Sequence, residues 1–363
     1  MFHFVLGSYM KNHVLISVVA GIIISIAGLY FAFRNVPLND LLFYLGSINY
    51  LWLFPAMLLV LLSFFIRAVR WQFILASNHK VGIWRAFHPM MIGFMINCIL
   101  PGRVGEIARP IILQKKEKIP FAAGIATVAV ERLFDVIALV SFAVITFVTI
   151  EIDPQVEIVF GGFLLNRTTL EVLFNRIILM GGLLITAIIL VSISRIRQGI
   201  HRSILFIPSL IFFAGEPVKA KITEKLCQPL VRFVYNIASG FNLIKYPKKI
   251  FICTVYSLIV WITAALSWYV FSLGSPGIHL TYAEMYAVMV IIMLVIALPS
   301  VPGFWGLWEA GGVFAMSLFG IPANAAAGFT LANHALQVLP VIIVGLISAI
   351  ITGVNIRQVS NEE

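Results

Sequence analysis

The chain has 363 residues, 61% hydrophobic and only 11% charged, with a mean hydropathy of +1.03. Soluble domains carry roughly 45–50% apolar and 25% charged residues, so this composition excludes a soluble enzyme, a disordered regulator and a disulfide-stapled secreted domain. The formal charge is +10, but the bases sit in loops between apolar runs, where they fit anionic lipid headgroups and membrane orientation rather than nucleic acid.

The first apolar run, 14–33, has the length of a bilayer span and reads as a retained helix, since it lacks the short core and small-residue cleavage site of a leader. The run 51–66 continues into Arg67 and Arg70. A shorter run, 87–100, stops at Pro101-Gly102. The run 121–150 is long, but Glu131, Arg132 and Asp135 interrupt it. A short apolar stretch at 203–213, containing Pro208, reads as an element lying on the membrane face. Further runs cover 173–193, 250–273, 286–298, 304–319 and 335–352. The pattern predicts an all-α polytopic membrane protein with about eight transmembrane helices and at least one re-entrant hairpin. Residues 1–363 form one integral membrane domain, with a basic segment at 195–249 inside it.

Loop charge sets the expected orientation. Within 195–249 the only acids are Glu216 and Glu224 against many Lys and Arg, which predicts a cytoplasmic location. The segment 151–172 carries Glu151, Asp153, Glu157 and Glu171 against Arg167, and is expected outside. Lys80, Arg85, Arg103, Arg109 and Lys115 then flank 87–100 on both sides with charge that belongs inside. A hairpin that enters from the cytoplasm and returns near Pro101-Gly102 removes the conflict. Such non-helical backbone is tolerated only inside protein or beside a wet cavity, so the hairpin implies a cavity. The N-terminus is expected in the cytoplasm, and the C-terminus too if 304–319 crosses.

Pro101-Gly102-Arg103-Val104-Gly105-Glu106 is echoed by Pro302-Gly303-Phe304-Trp305-Gly306-Leu307-Trp308-Glu309. Broken segments at corresponding places in two halves point to a transport site, and raise a two-half pseudo-repeat against the plainer reading of Pro-Gly as helix punctuation.

Charges in hydrocarbon cost about 2.5–3.5 kcal/mol each on insertion scales, so those that persist are paired, hydrated or used. Arg67 and Arg70 share a helix face beside Trp71; they either snorkel to headgroups or clamp a phosphate. Asn97, Pro101, Gly102, Arg103, Gly105, Glu106 and Arg109 crowd the apex of the hairpin. There Glu106 and Arg109 have helix-pair spacing, and Arg103 is left to meet an anion. Glu131 and Asp135 lie on one face and repel unless countered. Arg132 cannot serve both, which implies a partner such as Arg103 or Arg109 from another segment. Pro299, Pro302, Gly303, Gly306 and Glu309 form the last group, flanked by Trp305 and Trp308, as a functional break or as an interfacial turn. Asn333, His334 and Gln337 start the final span and read first as helix-packing polar residues, second as a proton relay.

The order Arg67-x-x-Arg70-Trp71, Asn97 through Glu106 with Arg109, Glu131-Arg132-Leu133-Phe134-Asp135, and Pro299 through Glu309 resembles the flippase-like transmembrane domain of lysylphosphatidylglycerol synthases and its stand-alone relatives. The resemblance implies an integral protein of a prokaryotic cytoplasmic (inner) membrane that handles anionic lipids. Relatives are associated with aminoacylated phospholipids, polyprenyl-phosphate-linked sugars and hopanoids. The late motif is bulkier than the family's glycine-rich form, which would reshape a lipid path. The chain ends soon after its last apolar run, so no soluble aminoacyl-transferase domain and no synthase activity are expected.

Three readings stand. The first is a lipid flippase or transporter for an anionic phospholipid or polyprenyl-phosphate-linked lipid. In it Arg70, Asn97, Arg103 and Arg109 bind the lipid phosphate, and Glu106, Glu131, Arg132, Asp135 and Glu309 form a charge network or carry a coupled proton. The second is a membrane-embedded glycosyltransferase using a lipid-phosphate donor, disfavoured by short outward loops and the lack of an Asp-x-Asp motif. The third is a non-transporting partner of a lipid-modifying enzyme. No P-loop is present, and neither a metal nor another cofactor is expected, since Cys98, Cys227 and Cys253 lack ligand spacing.

Overall fold

The computed structural model describes residues 21–76, 79–100, 103–149, 158–160, 163–165, 194–210, 246–296 and 301–354, with some positions between 172 and 231. Pro101, Gly102 and Pro299, most of the run at 173–193 and the first residues of the run at 14–33 lie outside the described residues.

Helix α1 (Gly21–Phe33) bends by 79° into α2 (Leu38–Ser47). A 3-10 turn, Tyr50–Trp52, leads into α3 (Leu53–Leu75). Then follow α4 (Ile83–Ile99), α5 (Gly105–Glu117) and α6 (Phe121–Thr149). Two three-residue strands, Ile158–Phe160 and Phe163–Leu165, pair antiparallel with Ile158 opposite Leu165. This hairpin sits in the acidic loop and is a small addition to an otherwise helical architecture. The basic helix α7 (Ser194–Phe206) precedes α8 (Pro247–Ser272), α9 (Tyr282–Val295), α10 (Leu307–Ser317) and α11 (Ala323–Thr352).

Side-chain size is arranged for lipid rather than water. On α3 the large residues Phe54, Leu58 and Leu62 are exposed, while Ala56, Val60 and Ser63 are buried. On α11 Leu339, Ile343 and Ile350 face out, and Ala326, Gly345 and Ser348 face in. Lipid is as apolar as leucine, so small residues inside bring helices close, and large ones outside meet acyl chains. Among the described residues three helices are long and apolar enough to cross a membrane, or four if the bent α1–α2 pair is one span. At 29 residues, about 43 Å, α6 is also long enough to cross the core of roughly 30 Å.

Two helical hairpins organise the interior. In the first, α5 returns along α4: Arg85 pairs with Glu117 at 3.0 Å, and Ile92, Met95, Ile96, Ala108 and Ile112 share one cluster. Asn97 Oδ1 accepts the Gly105 N–H at 2.7 Å across the turn. In the second, α10 returns along α9, with Gly311 against Val295. Helix α10 has 11 residues, about 16 Å, too short to cross the hydrocarbon core by itself. The tips meet: Arg103 Nη2 donates to the Ile296 carbonyl at 3.1 Å, and its guanidinium lies 5.9 Å from the Phe304 ring. Both Pro-Gly-X sequences put X in the left-handed region, Arg103 at φ 56° and Phe304 at φ 63°. The sequence echo is therefore a conformational echo.

Each tip has a glycine where backbone meets backbone. A side chain at Gly105 would collide with the Gly93 carbonyl, and one at Gly306 (φ 89°) with the Ser25 carbonyl. Gly105→Ala and Gly306→Ala should each lower stability by about 1–3 kcal/mol through overpacking. Gly46→Ala, with open space around it, should melt like the parent in detergent micelles. Equal melting of all three variants would contradict the close packing of the tips.

Candidate functional site

The charged residues of α3, α5 and α6 converge on one buried cluster. Glu131 is completely buried and lies between two guanidinium groups, 3.3 Å from Arg70 Nη2 and 2.5 Å from Arg109 Nη2. Asp135, one turn further along α6, is 2.8 Å from Arg70, 3.5 Å from Arg67 and 3.4 Å from Arg132. Arg70 also donates to Ser257 Oγ on α8 at 2.7 Å. Glu106 on α5 completes the set, 3.6 Å from Arg132.

Helical spacing explains the convergence. Arg67 and Arg70 occupy adjacent turns on one face of α3, and Glu131 and Asp135 do the same on α6, so each helix presents a two-rung face to the other. Aromatic rings close the cluster. Arg109 stacks 4.1 Å from the Trp71 ring, and Trp71 is fixed by donating its indole N–H to Thr127 Oγ1 at 3.1 Å. Phe94 lies 5.6 Å from Arg109 and 5.7 Å from Arg132, and Trp261 lies 5.2 Å from Arg67.

Four guanidinium groups thus face three carboxylates, leaving one positive charge in excess. Nε and Nη1 of Arg109 are buried without a hydrogen-bond partner among the described residues, as are Nε and Nη2 of Arg132. Arg109 is about 1% exposed, whereas Arg132 and Glu106 are about a third and a quarter exposed, so the cluster opens on one side. Beside it, an apolar crevice of about 300 Å³ is lined by Leu62, Phe64, Phe65, Trp84, Phe87 and Met91. Phe64 is the shared wall: it stacks edge-on against Phe94 at 5.0 Å and lies 5.9 Å from Arg67.

The sequence-derived residues divide into two groups. Arg70, Arg109, Glu106, Glu131, Arg132 and Asp135 come together, with Arg67. The partner expected for the Glu131–Asp135 face is Arg109, joined by Arg70 and Arg67, and not Arg103. The spacing-based pair of Glu106 with Arg109 gives way to pairs across helices, Glu106 to Arg132 and Arg109 to Glu131. Asn97 holds the hairpin turn rather than facing the cluster, and Arg103 joins the two tips. Ser257 and Phe94 escaped the sequence reading, because a lone serine or phenylalanine in an apolar helix carries no signal.

Glu309 is apart from the cluster. It caps its own helix, accepting the Gly306 N–H at 2.7 Å, and lies 2.6 Å from His334 Nδ1. Pro302 and Gly303 form the adjoining 3-10 turn. Trp308 stacks on the imidazole at 4.5 Å, so His334 belongs to this break and not to general helix packing.

Among known proteins, the family described as lysylphosphatidylglycerol synthase TM region matches residues 18–345. A UPF0104 membrane protein of Pyrococcus horikoshii is 26% identical over 261 residues, 70% of this chain and 73% of that protein. One from Methanocaldococcus jannaschii is 28% identical over 93 residues, 25% of this chain and 38% of that protein. The glycosyltransferase AglD of Haloferax volcanii is 24% identical over 131 residues, 35% of this chain but only 21% of that protein. No solved structure matches.

Removing one member of a buried ion pair leaves an uncompensated charge, which costs about 3–5 kcal/mol. Glu131→Leu should therefore destabilise strongly, and adding Arg109→Met should recover part of the loss. Denaturation in micelles measures both, and a double variant less stable than Glu131→Leu alone would break the pairing argument.

Proposed function

The chain belongs to the lysylphosphatidylglycerol synthase TM-region family, and on that footing we propose that it is a lipid flippase or lipid-handling transporter for an anionic phosphate headgroup. The observation that carries this reading is Arg109, a buried guanidinium with two unpartnered nitrogens in a cluster with positive charge to spare. Guanidinium binds phosphate through paired N–H donors, and a buried donor without an acceptor is costly unless a ligand supplies one.

The division of labour follows from exposure. Arg132, about a third exposed, meets the phosphate at the open side, and Arg109 behind it offers its two unpartnered nitrogens. Arg70 gives both terminal nitrogens to the two carboxylates and Ser257, with only its Nε left without a partner, so it holds Glu131 and Asp135 in place. Arg103 stands at the meeting of the two tips as a further phosphate contact along the path, and Asn97 keeps the first tip closed. The crevice behind Phe64 gives a lipid chain an apolar bed beside the charged head, which fits an amphiphile better than a free anion. The headgroup crosses while the tails stay in the bilayer, which avoids most of the desolvation cost.

Reconstituted vesicles with a headgroup-labelled anionic phospholipid test the proposal. Arg132→Gln and Arg109→Gln should each slow headgroup movement tenfold or more, while Arg85→Gln, on the exposed base of the first hairpin, should leave it unchanged. Unaltered movement in a folded Arg132→Gln or Arg109→Gln variant would remove the cluster from the mechanism. Product formed from a labelled lipid-phosphate donor would favour an enzyme instead.

A further inference from the structure

Glu309 and His334 are both completely buried, and the guanidinium cluster does not use them. His334 Nδ1 lies 2.6 Å from Glu309 Oε1, and His334 Nε2 lies 2.7 Å from the Gly303 carbonyl oxygen. A carbonyl oxygen only accepts, so Nε2 carries a hydrogen and donates it. Nδ1 and Oε1 then share one proton, as imidazolium with carboxylate or as imidazole with carboxylic acid. In either form the loaded pair is neutral. Without that proton, two lone pairs would face each other at full burial beside an unpaired charge.

We propose that Glu309 and His334 form a one-proton binding site, whose occupancy holds the second broken segment closed and makes H⁺ the coupling ligand of the lipid-handling reading above. The inference rests on that reading only for the word coupling. The donor set argues against a metal cation: Oε2 takes the Gly306 N–H, and the Gly303 carbonyl and Oε1 face the imidazole. Among the described residues no group of three or more His, Cys, Asp or Glu could hold a metal.

The proton acts on a strained turn. Gly303, Phe304 and Gly306 have φ of 70°, 63° and 89°, and Phe304 is a residue that rarely adopts such a conformation. The imidazole restrains this turn through the Gly303 carbonyl. When one proton leaves, the neutral imidazole has a single N–H for two acceptors; the charged Glu309 carboxylate takes it through Nδ1, the bare Nε2 then faces the Gly303 carbonyl, and that restraint is lost. The next residue, Phe304, lies against the Arg103 guanidinium, so release reaches the first tip. Around the pair, Arg103 lies against Phe304 and the Cys98 carbonyl approaches Gly303. Tyr286 of α9 and Tyr44 of α2 belong to the same apolar cluster as Trp308, Ser25 of α1 accepts the Val301 N–H, and Gln337 of α11 bonds Ser267 of α8 and Asn333.

Two indoles flank the imidazole, Trp305 at 4.3 Å and Trp308 stacked at 4.5 Å, and they report its charge. The purified full chain, in micelles without added lipid, would be titrated with pH by nitrogen NMR of labelled histidine and by tryptophan emission. His334 is assigned by its loss in His334→Gln, or by proximity to the Trp308 ring protons. The expected result is a His334 signal with Nε2 protonated and Nδ1 in a strong hydrogen bond, whose single pH transition shifts in Glu309→Gln. The accompanying change in emission should be absent from both variants. If neither variant folds, the parent protein alone decides through the state of Nδ1. A His334 that titrates as a lone imidazole, or with the same transition in Glu309→Gln, would overturn the proposal. No lipid enters this measurement, so its failure leaves the guanidinium reading intact, and failure of the vesicle assay leaves the proton site intact.

Discussion

The Glu131 carboxylate is the interaction on which the rest of the interior depends. It is completely buried on an apolar helix, and alone it would be among the most costly groups a bilayer protein could carry. Arg70 from α3 and Arg109 from α5 make it tolerable, and in doing so fix those helices against α6. Asp135 repeats the arrangement one turn away and draws in Arg67 and Arg132. The geometry of the bundle and the electrostatics of the cluster are therefore one problem. Moving any of the three helices by a few ångströms would strand a charge in hydrocarbon. Strong specification of this kind suits a site that must keep spare guanidinium donors in position without a ligand to organise them.

The second constraint is backbone. Membrane-buried N–H and C=O groups need partners, so helices break only where other protein groups take over. Both breaks meet that condition with side chains. Asn97 receives the Gly105 N–H in one, Glu309 receives the Gly306 N–H in the other, and Arg103 donates to the Ile296 carbonyl between them. Close glycine contacts then let each tip sit against its neighbour. The two tips thus touch through side chains of their own segments, Arg103 on Ile296 and Phe304.

How much was legible beforehand follows from which signals are local. The membrane class, the charged clusters and the two Pro-Gly breaks are written in composition and short spacing, and the Pro-Gly-X echo carried through to backbone angles at Arg103 and Phe304. Partner choice was not legible. Glu106 with Arg109 satisfies helix spacing, yet Arg109 turns to Glu131, because a fully buried carboxylate gains more from a guanidinium than a quarter-exposed one does. The bend after Phe33 was missed for a different reason. The run 14–33 ends where α1 ends, and the turn of 79° into α2 falls at Arg34–Pro37, where Asn35 and Pro37 are local breaking signals that a search for apolar runs passes over. His334 read as a packing residue because nothing nearby in sequence showed that Glu309 and Gly303 would meet it.

Exposure separates the two polar sites chemically. Arg132 and Glu106 open the guanidinium cluster on one side, so a headgroup-sized anion has a way in and a way out. Glu309 and His334 have no exposure at all and are roofed by Trp305 and Trp308. Nothing larger than a proton can exchange there without the turn moving. On the proposed reading, a large ligand site that is open and a proton site that is sealed, joined through Arg103 and Phe304, would be the asymmetry that lets one event gate the other. If both were open, the proton could leave without consequence for the backbone. If both were sealed, no headgroup could arrive.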